Sequence, residues 1–377
     1  MTAVVVSRAD GSRAYRAATE KDELAGLRAI ADSAAVGLNV PLTNDPRSIW
    51  CVPYGVTTQA DMYGPRQLAV LTTLADLVAS VPERVERDGG DDDWARAVTT
   101  FLGLAVGQMA LTGSTQTRWR LRATAHAKAE GAFARNDIPM MWDYAETYPA
   151  SGSVGDWIGT VTSMTRGLPY IRSGVGQVVR ADARTTASPS KALVATDPPY
   201  FDAISYADLS DFFYVWHRRA LRNVHPDLYG TLAAPKANEL TAVPVHHDGS
   251  KEKARNYFIQ GFTDTFGNLQ RSMHSALPML VVYASKEQRG GQDEQTRWSS
   301  ILTAMVNAEL EITGTWPIHG TGSTRMVGIG TNAVASYIVM VCRPRPVTAT
   351  TCSVSDFNRA LRRELGPAEE LSNPVDR

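Results

Sequence analysis

Apolar and polar positions along this chain change their period once, near residue 174. Ahead of that point helical spacing dominates, after a short opening hairpin. Val4, Val5 and Val6 form a β-prone run, Asp10-Gly11 is a turn dipeptide, and Ala14-Tyr15-Arg16 resumes the strand pattern. Thr19 with Asp22 and Glu23 predicts a capped helix to about Ala31. Residues 37–62 read as loop, punctuated by Pro41, Asn44, Asp45, Pro46, Pro53 and Gly55. Pro65 then suits a first helical turn, and Leu68, Leu71, Leu74, Leu77 and Val78 follow at helical spacing. Arg87 to Asp93 is a connector. A second helix is predicted from Trp94 to Thr112, with Ala97, Val98, Phe101, Leu104 and Ala105 on one face. A third is predicted from Ala123 to Ala134, and a short one from Ile138 to Tyr148.

Beyond residue 174 strand and helix patterns alternate. Gly176–Arg180 and Lys191–Thr196 read as strands, Asp208–Arg222 and Lys251–His274 as helices. Leu280–Ala284 reads as a strand and Gln295–Ala308 as a helix. Leu310–Trp316 and Ala335–Cys342 close the series as strands. Such alternation predicts an α/β sheet with mainly parallel strands. The Gly-rich stretch Gly320 to Gly330 leaves an antiparallel final pair open. The tail from Pro344 reads as loop, a short basic helix near Phe357–Leu365 and a frayed end. By this reading the chain divides into segments 1–62, 63–170, 171–345 and 346–377.

Composition narrows the classes. Hydrophobic residues are 44% and charged residues 20% of 377, a globular balance rather than a disordered one. With 38 Lys+Arg against 39 Asp+Glu the net charge is −1, which excludes a uniformly basic nucleic-acid binder but not a local basic groove. No apolar run is long enough to span a bilayer, and the first residues lack a secretory pattern. Cys51, Cys342 and Cys352 have no C-x-x-C spacing, so neither a disulfide framework nor a Cys-rich zinc site is expected. A reducing cytoplasm is the expected compartment.

Chemistry concentrates in Asp197-Pro198-Pro199-Tyr200, directly after an apolar strand. Ligands of open α/β sheets bind beyond the carboxyl ends of strands. Two prolines fix the backbone, so a peptide carbonyl and the Asp carboxylate can both accept from one exocyclic amine. The Tyr ring offers a stacking surface, worth about 1–3 kcal/mol for a base. Extruding a duplex base costs a few kcal/mol, and stacking offsets much of that. A strand ending in an ordinary Pro-rich turn is the structural alternative.

The tetrapeptide resembles the signature of S-adenosylmethionine-dependent amino-methyltransferases, whose members with an initial Asp act mostly on the N6 amine of adenine in DNA. The longer stretch TDPPYFDAISYADLSDFFYVWHRRAL (196–221) resembles adenine-specific DNA methylases with an N-terminal zinc ribbon. Residues 63–78, 132–146, 235–240 and 313–319 extend that resemblance in order, over about residues 2 to 345. It implies the C-terminal half of a Rossmann-like methyltransferase sheet, preceded by a helical region. It implies an amine site at Asp197, Pro198, Pro199 and Tyr200, with the amine attacking the sulfonium methyl directly and no metal. Asp182, in a turn after the strand 177–180, matches an acidic position near the cofactor's adenosine, and is otherwise a turn Asp. Asp197 is shared with the cofactor site. Asp202, Tyr206 and Asp208 could shape a base pocket, Asp208 being equally a helix N-cap. Arg218, Arg219 and Arg222 are phosphate contacts or helix C-terminal cations. Phe212, Phe213 and Trp216 read as a buried helix face rather than a stacking ladder. His246, His247 and the other histidines lack metal spacing and read as surface residues.

One part of the pattern is missing. A Gly-rich turn after the first strand should cradle the methionine part of the cofactor. Gly174-Val175-Gly176 precedes a predicted strand, and Gly328-Ile329-Gly330 lies between the last two. The expectation is therefore a split enzyme, with a separately encoded N-terminal subunit completing the cofactor site and DNA as the substrate. The alternatives are an inactive remnant, or a DNA-binding or scaffold subunit of a restriction-modification or defence system. No membrane partner is expected.

Overall fold

In the computed structural model the described residues are 3–10, 12–27, 37–122, 125–134, 136–171, 174, 176–186, 191–202, 204–284, 292–319 and 336–365. They form two units. The first comprises Met1–Asp182 with Pro199–Phe258, the second Ala183–Pro198 with Ile259–Arg377.

The first unit opens with the expected hairpin, β1 (Val4–Ser7) against β2 (Arg13–Arg16). Helix α1 (Glu20–Leu27) follows, with Asp22 accepting from the backbone and hydroxyl of Thr19. The rest of that predicted helix, to Ala31, lies outside the described residues. Next come α2 (Pro65–Ala79), α3 (Val81–Arg87) and α4 (Asp92–Thr112). Pro65 occupies the first turn of α2, and the Asp91 carboxylate caps α4 by accepting from the Trp94 amide at 2.8 Å.

Helix α4 buries a different face from the one its large residues predict. Of the predicted apolar face Ala105 is buried, but Phe101 and Leu104 are exposed, and the buried face is completed by Ala95, Thr99, Gly103, Val106, Gly107 and Ala110. The reason is a close helix crossing. A Cβ on Gly103 would meet Leu221, and one on Gly107 would meet His217, both on α6 (Tyr206–Leu221). Small residues let the two backbones approach, and that approach outweighs the area of the larger stripe.

Two predicted helices are absent. The Ala123–Ala134 segment instead contributes to a hairpin, β3 (Arg118–Arg122) against β4 (Ala125–Glu130). Cross-strand ion pairs from Arg118 and Arg120 to Glu130 override the helix propensity of its alanines. The Ile138–Tyr148 segment runs as irregular chain. Ile138 is fully buried and its backbone bonds Ser48 and Trp50, so tertiary pairing satisfies groups a helix would have used. A short helix not foreseen, α5 (Trp157–Thr165), is capped by Asp156. Gly176–Arg180 is not a strand either: Val178 is 99% exposed, and with no partner strand among the described residues the β-prone run stays coil.

The core of this unit gathers α2, α4 and α6 with the predicted loop, whose Leu38, Val40, Ile49, Cys51 and Met62 are buried. Trp216 and Phe212 of α6 are fully buried in it. The Trp216 Nε1 donates to the Tyr63 hydroxyl at 2.8 Å, which satisfies the indole inside the core. Helix α7 (Pro226–Tyr229) and the start of α8 (Lys251–Ser272) complete the unit.

The second unit holds a four-stranded sheet: β5 (Val194–Thr196), β6 (Met279–Tyr283), β7 (Leu310–His319) and β8 (Ser336–Pro344), in the order β5-β6-β8-β7. It is mixed rather than mainly parallel. β5 and β6 are parallel, while β8 runs antiparallel to both β6 and β7. The final pair is thus antiparallel, and insertion of β8 between β6 and β7 is what breaks the parallel run. The Gly320–Gly330 stretch lies outside the described residues.

On one sheet face Val194, Met279, Val281, Tyr283, Met340 and Cys342 are buried, and Tyr283 packs edge-on against Trp298 of α9 (Gln292–Asn307). The opposite face is partly open. Leu193 is 56% and Trp316 68% exposed, and Leu280, Val282, Val339 and Val341 are only half-buried. The basic tail helix is α10 (Val354–Leu365). Among the described residues no helix is long and apolar enough to cross a membrane.

Candidate functional site

The tetrapeptide starts where β5 ends. Val194, Ala195 and Thr196 pair with Met279, Leu280 and Val281, which fixes the strand up to Asp197. Asp197 is exposed and Pro198 is buried. Pro199 and Tyr200 are half-buried in the first unit.

The turn after the motif is held unusually firmly. The Phe201 amide donates to the Pro199 carbonyl at 3.0 Å, closing a three-residue turn centred on Tyr200. Phe201 itself lies in the left-handed region, with φ +53°. That conformation costs a non-Gly residue about 1–3 kcal/mol and persists only where surroundings enforce it. Here the Phe201 ring is buried with its centroid 5.0 Å from that of Phe258, and its carbonyl accepts from the Ala242 amide at 3.0 Å.

The next residues are clasped from the 37–62 segment. Arg47 donates to the Asp202 carbonyl at 3.2 Å and lies 3.7 Å from its carboxylate. Asp45 orients Arg47 with two bonds of 2.9 Å and accepts from the Ser205 hydroxyl at 2.8 Å. Burial alone would raise the Asp45 carboxyl; the Arg47 and Ser205 bonds outweigh it and hold the group below the usual carboxylate range.

Helix α6 is anchored by carboxylates. Asp208, 1% exposed, is not an N-cap: it accepts from the Thr43 hydroxyl at 2.6 Å and pairs with His246 Nε2 at 2.8 Å. His246 is therefore not a plain surface residue. Asp211 accepts from the Ala234 amide at 2.7 Å and from Lys236 Nζ at 2.5 Å. Glu239 accepts from the Ala207 amide at 3.0 Å. Burial pushes the Asp211 and Glu239 carboxyls above their ordinary range, against the bonds that lower them. Together these contacts tie residues 234–246 around the start of α6.

The other expected residues fall in varied places. Tyr206 begins α6 and is partly exposed. Arg219 makes a two-pronged pair with Asp76 of α2, at 2.7 and 2.9 Å, so it serves helix packing. Arg218 is half-buried, its Nε enclosed, and Arg222 is exposed. Asp182 follows irregular chain rather than a strand, so its placement beside a strand end does not hold. Arg47 and Thr43 carried no sequence signal, Asp45 read only as loop punctuation, and Ser205 and Lys236 lie in the 196–221 and 235–240 matches without a role of their own. Glu239 lies in the 235–240 match without having been singled out.

His217 is the second histidine that does not sit on the surface. Its Nε2 is enclosed without a hydrogen-bond partner, and burial lowers its pKa to about 4. An unfolded histidine protonates near 6.5, so between those values the unfolded chain binds a proton the fold refuses. Stability is expected to fall as pH drops from 6.5 towards 4, by about 3 kcal/mol in total from this group. Urea unfolding across that range checks this. His217→Leu should flatten the slope relative to the parent, and an unchanged slope would refute the assignment.

Among the described residues no group of three or more His, Cys, Asp or Glu side chains could hold a metal ion. Nor does a glycine turn follow a strand of the sheet there: β5 runs into the tetrapeptide, and Gly174 and Gly176 lie in irregular chain with open space around them. The described residues therefore do not fit a methionine-cradling loop for S-adenosylmethionine. Against protein-family models, curated proteins and solved structures, the chain has no match.

Proposed function

We propose that this chain is the acceptor-binding part of a DNA adenine-N6 methyltransferase. The observation that carries the reading is the local order: an apolar strand, Asp197-Pro198-Pro199-Tyr200, a fixed turn, then a helix rooted by buried carboxylates. In this reading Asp197 and the Pro198 carbonyl accept from the exocyclic amine, Tyr200 stacks on the flipped base, and Asp202 and Tyr206 border it. Fixed acceptors need no reorganisation when the amine arrives, which is where such a site gains rate. S-adenosylmethionine would supply the electrophilic methyl group.

The sheet supports a partner. Among the described residues β5 pairs with β6 alone, and one sheet face is half-exposed. The resemblance puts cofactor-binding strands beside the strand that ends in the tetrapeptide. A separately encoded N-terminal subunit adding strands at that edge would cover it and bring a cofactor cradle, which the described residues do not form.

Two measurements test this. Deleting the gene in its source cell is expected to remove N6-methyladenine at one class of genomic site, read by nucleoside mass spectrometry. Unchanged N6-methyladenine sinks the methyltransferase reading and leaves the remnant or scaffold alternative. Calorimetric titration of the isolated chain with S-adenosylmethionine is expected to show no micromolar binding. Micromolar binding sinks the split-enzyme reading.

A further inference from the structure

Tyr200 is the motif residue whose usefulness depends most on orientation, because a stacking ring must present its face. It sits at the centre of the turn that the Phe201 amide closes on the Pro199 carbonyl. The chain leaves that turn through Phe201, whose amide closes it and which occupies a backbone region that L side chains avoid. Nothing in the residue type favours this. A phenylalanine stays there because its ring is captured against Phe258, its carbonyl by the Ala242 amide, and the next carbonyl by Arg47. Strained, over-determined backbone beside a reactive motif is a known form of preorganisation.

We infer that Phe201 is the positioning residue for Tyr200, its captured left-handed turn setting the plane on which the acceptor base stacks. This rests on the proposed function and adds to it a residue outside the tetrapeptide. Phe201 touches no substrate; it acts through the ring beside it.

The physics separates this role from ordinary packing. Phe201→Ala removes the ring and leaves a residue that resists positive φ, so the turn relaxes. Phe201→Gly removes the same ring but accepts positive φ freely, so the turn stays accessible. A conformational role ranks glycine above alanine. A packing role ranks alanine at or above glycine, because glycine adds entropy to the unfolded chain.

The test uses the complex purified from source cells through a tagged full chain, with unmethylated genomic DNA and radiolabelled S-adenosylmethionine. Phe201→Ala is expected to lower kcat by about 100-fold, the effect of misplacing a reacting group by an ångström. KM for DNA should stay within about twofold, since the lost contact orients rather than binds. Phe201→Gly should recover about tenfold of the lost kcat. Amide exchange at Phe201 and Ala242 should quicken in the alanine variant and less so in the glycine variant, with exchange in α2 and α4 unchanged. An active wild type in which alanine matches or exceeds glycine, in both kcat and exchange, overturns the assignment of Phe201 alone. A wild-type complex that transfers no methyl group overturns the proposed function instead.

Discussion

Complementing the deleted gene with the Asp197→Ala chain is expected to leave N6-methyladenine at background, while the wild-type gene restores it. The side chain is exposed at the end of β5, so its removal opens no cavity and the protein level should match the parent. In the proposed reading what is lost is an acceptor for the amine. Removing one preorganised hydrogen-bonding group from a reacting centre costs about 100- to 1,000-fold in rate. Asp197→Asn keeps one carbonyl oxygen in the same place and should fall between the two. Retention of DNA by the complex on a filter is expected to be nearly unchanged, because in the proposed reading the carboxylate orients a base rather than binding backbone. Full methylation by the alanine variant would move the amine site elsewhere in the chain.

The largest stability effect is expected at Trp216. Truncating a fully buried Trp costs about 3–5 kcal/mol, from lost burial and the cavity left behind. Its Nε1 also satisfies the Tyr63 hydroxyl, and that group, once orphaned, adds about 1–3 kcal/mol. Trp216→Ala should therefore lower Tm by roughly 10 °C or more. Trp216→Phe keeps most of the apolar area and should lose mainly the hydrogen-bond share. Differential scanning calorimetry on the full chain reads both. Were Trp216 a base-stacking platform instead, the alanine variant would lose DNA affinity with Tm unchanged.

How much of this was legible along the chain differs from segment to segment. Helix α6 was legible because its apolar positions repeat at helical spacing and the tertiary environment buries that same stripe. Strands β6 and β8 were legible because β-branched runs found partners. The Val178-Val179 run had the same local character and formed no strand, because among the described residues no strand pairs with it. The 118–130 hairpin was misread because alanine favours helix wherever nothing competes, and here three charged side chains across two strands compete. In α4 periodicity gave the helix correctly but size misled about its inner face. Close approach to His217 and Leu221 selects glycine and alanine, which hydrophobic patterning undervalues.

The sequence by itself determined the succession of strand, tetrapeptide and helix, and the buried face of that helix. These follow from neighbours within a few residues, where spacing and residue type carry the physics. Tertiary structure alone decided the turn at Phe201, the anchoring of α6 and, among the described residues, the edge position of β5. Thr43 and Asp208 are 165 residues apart, and Asp45 and Ser205 160. No local pattern encodes a partner at that distance. Only the closed chain can bring a buried carboxylate to its donor, or hold a phenylalanine where its own backbone preference would not put it.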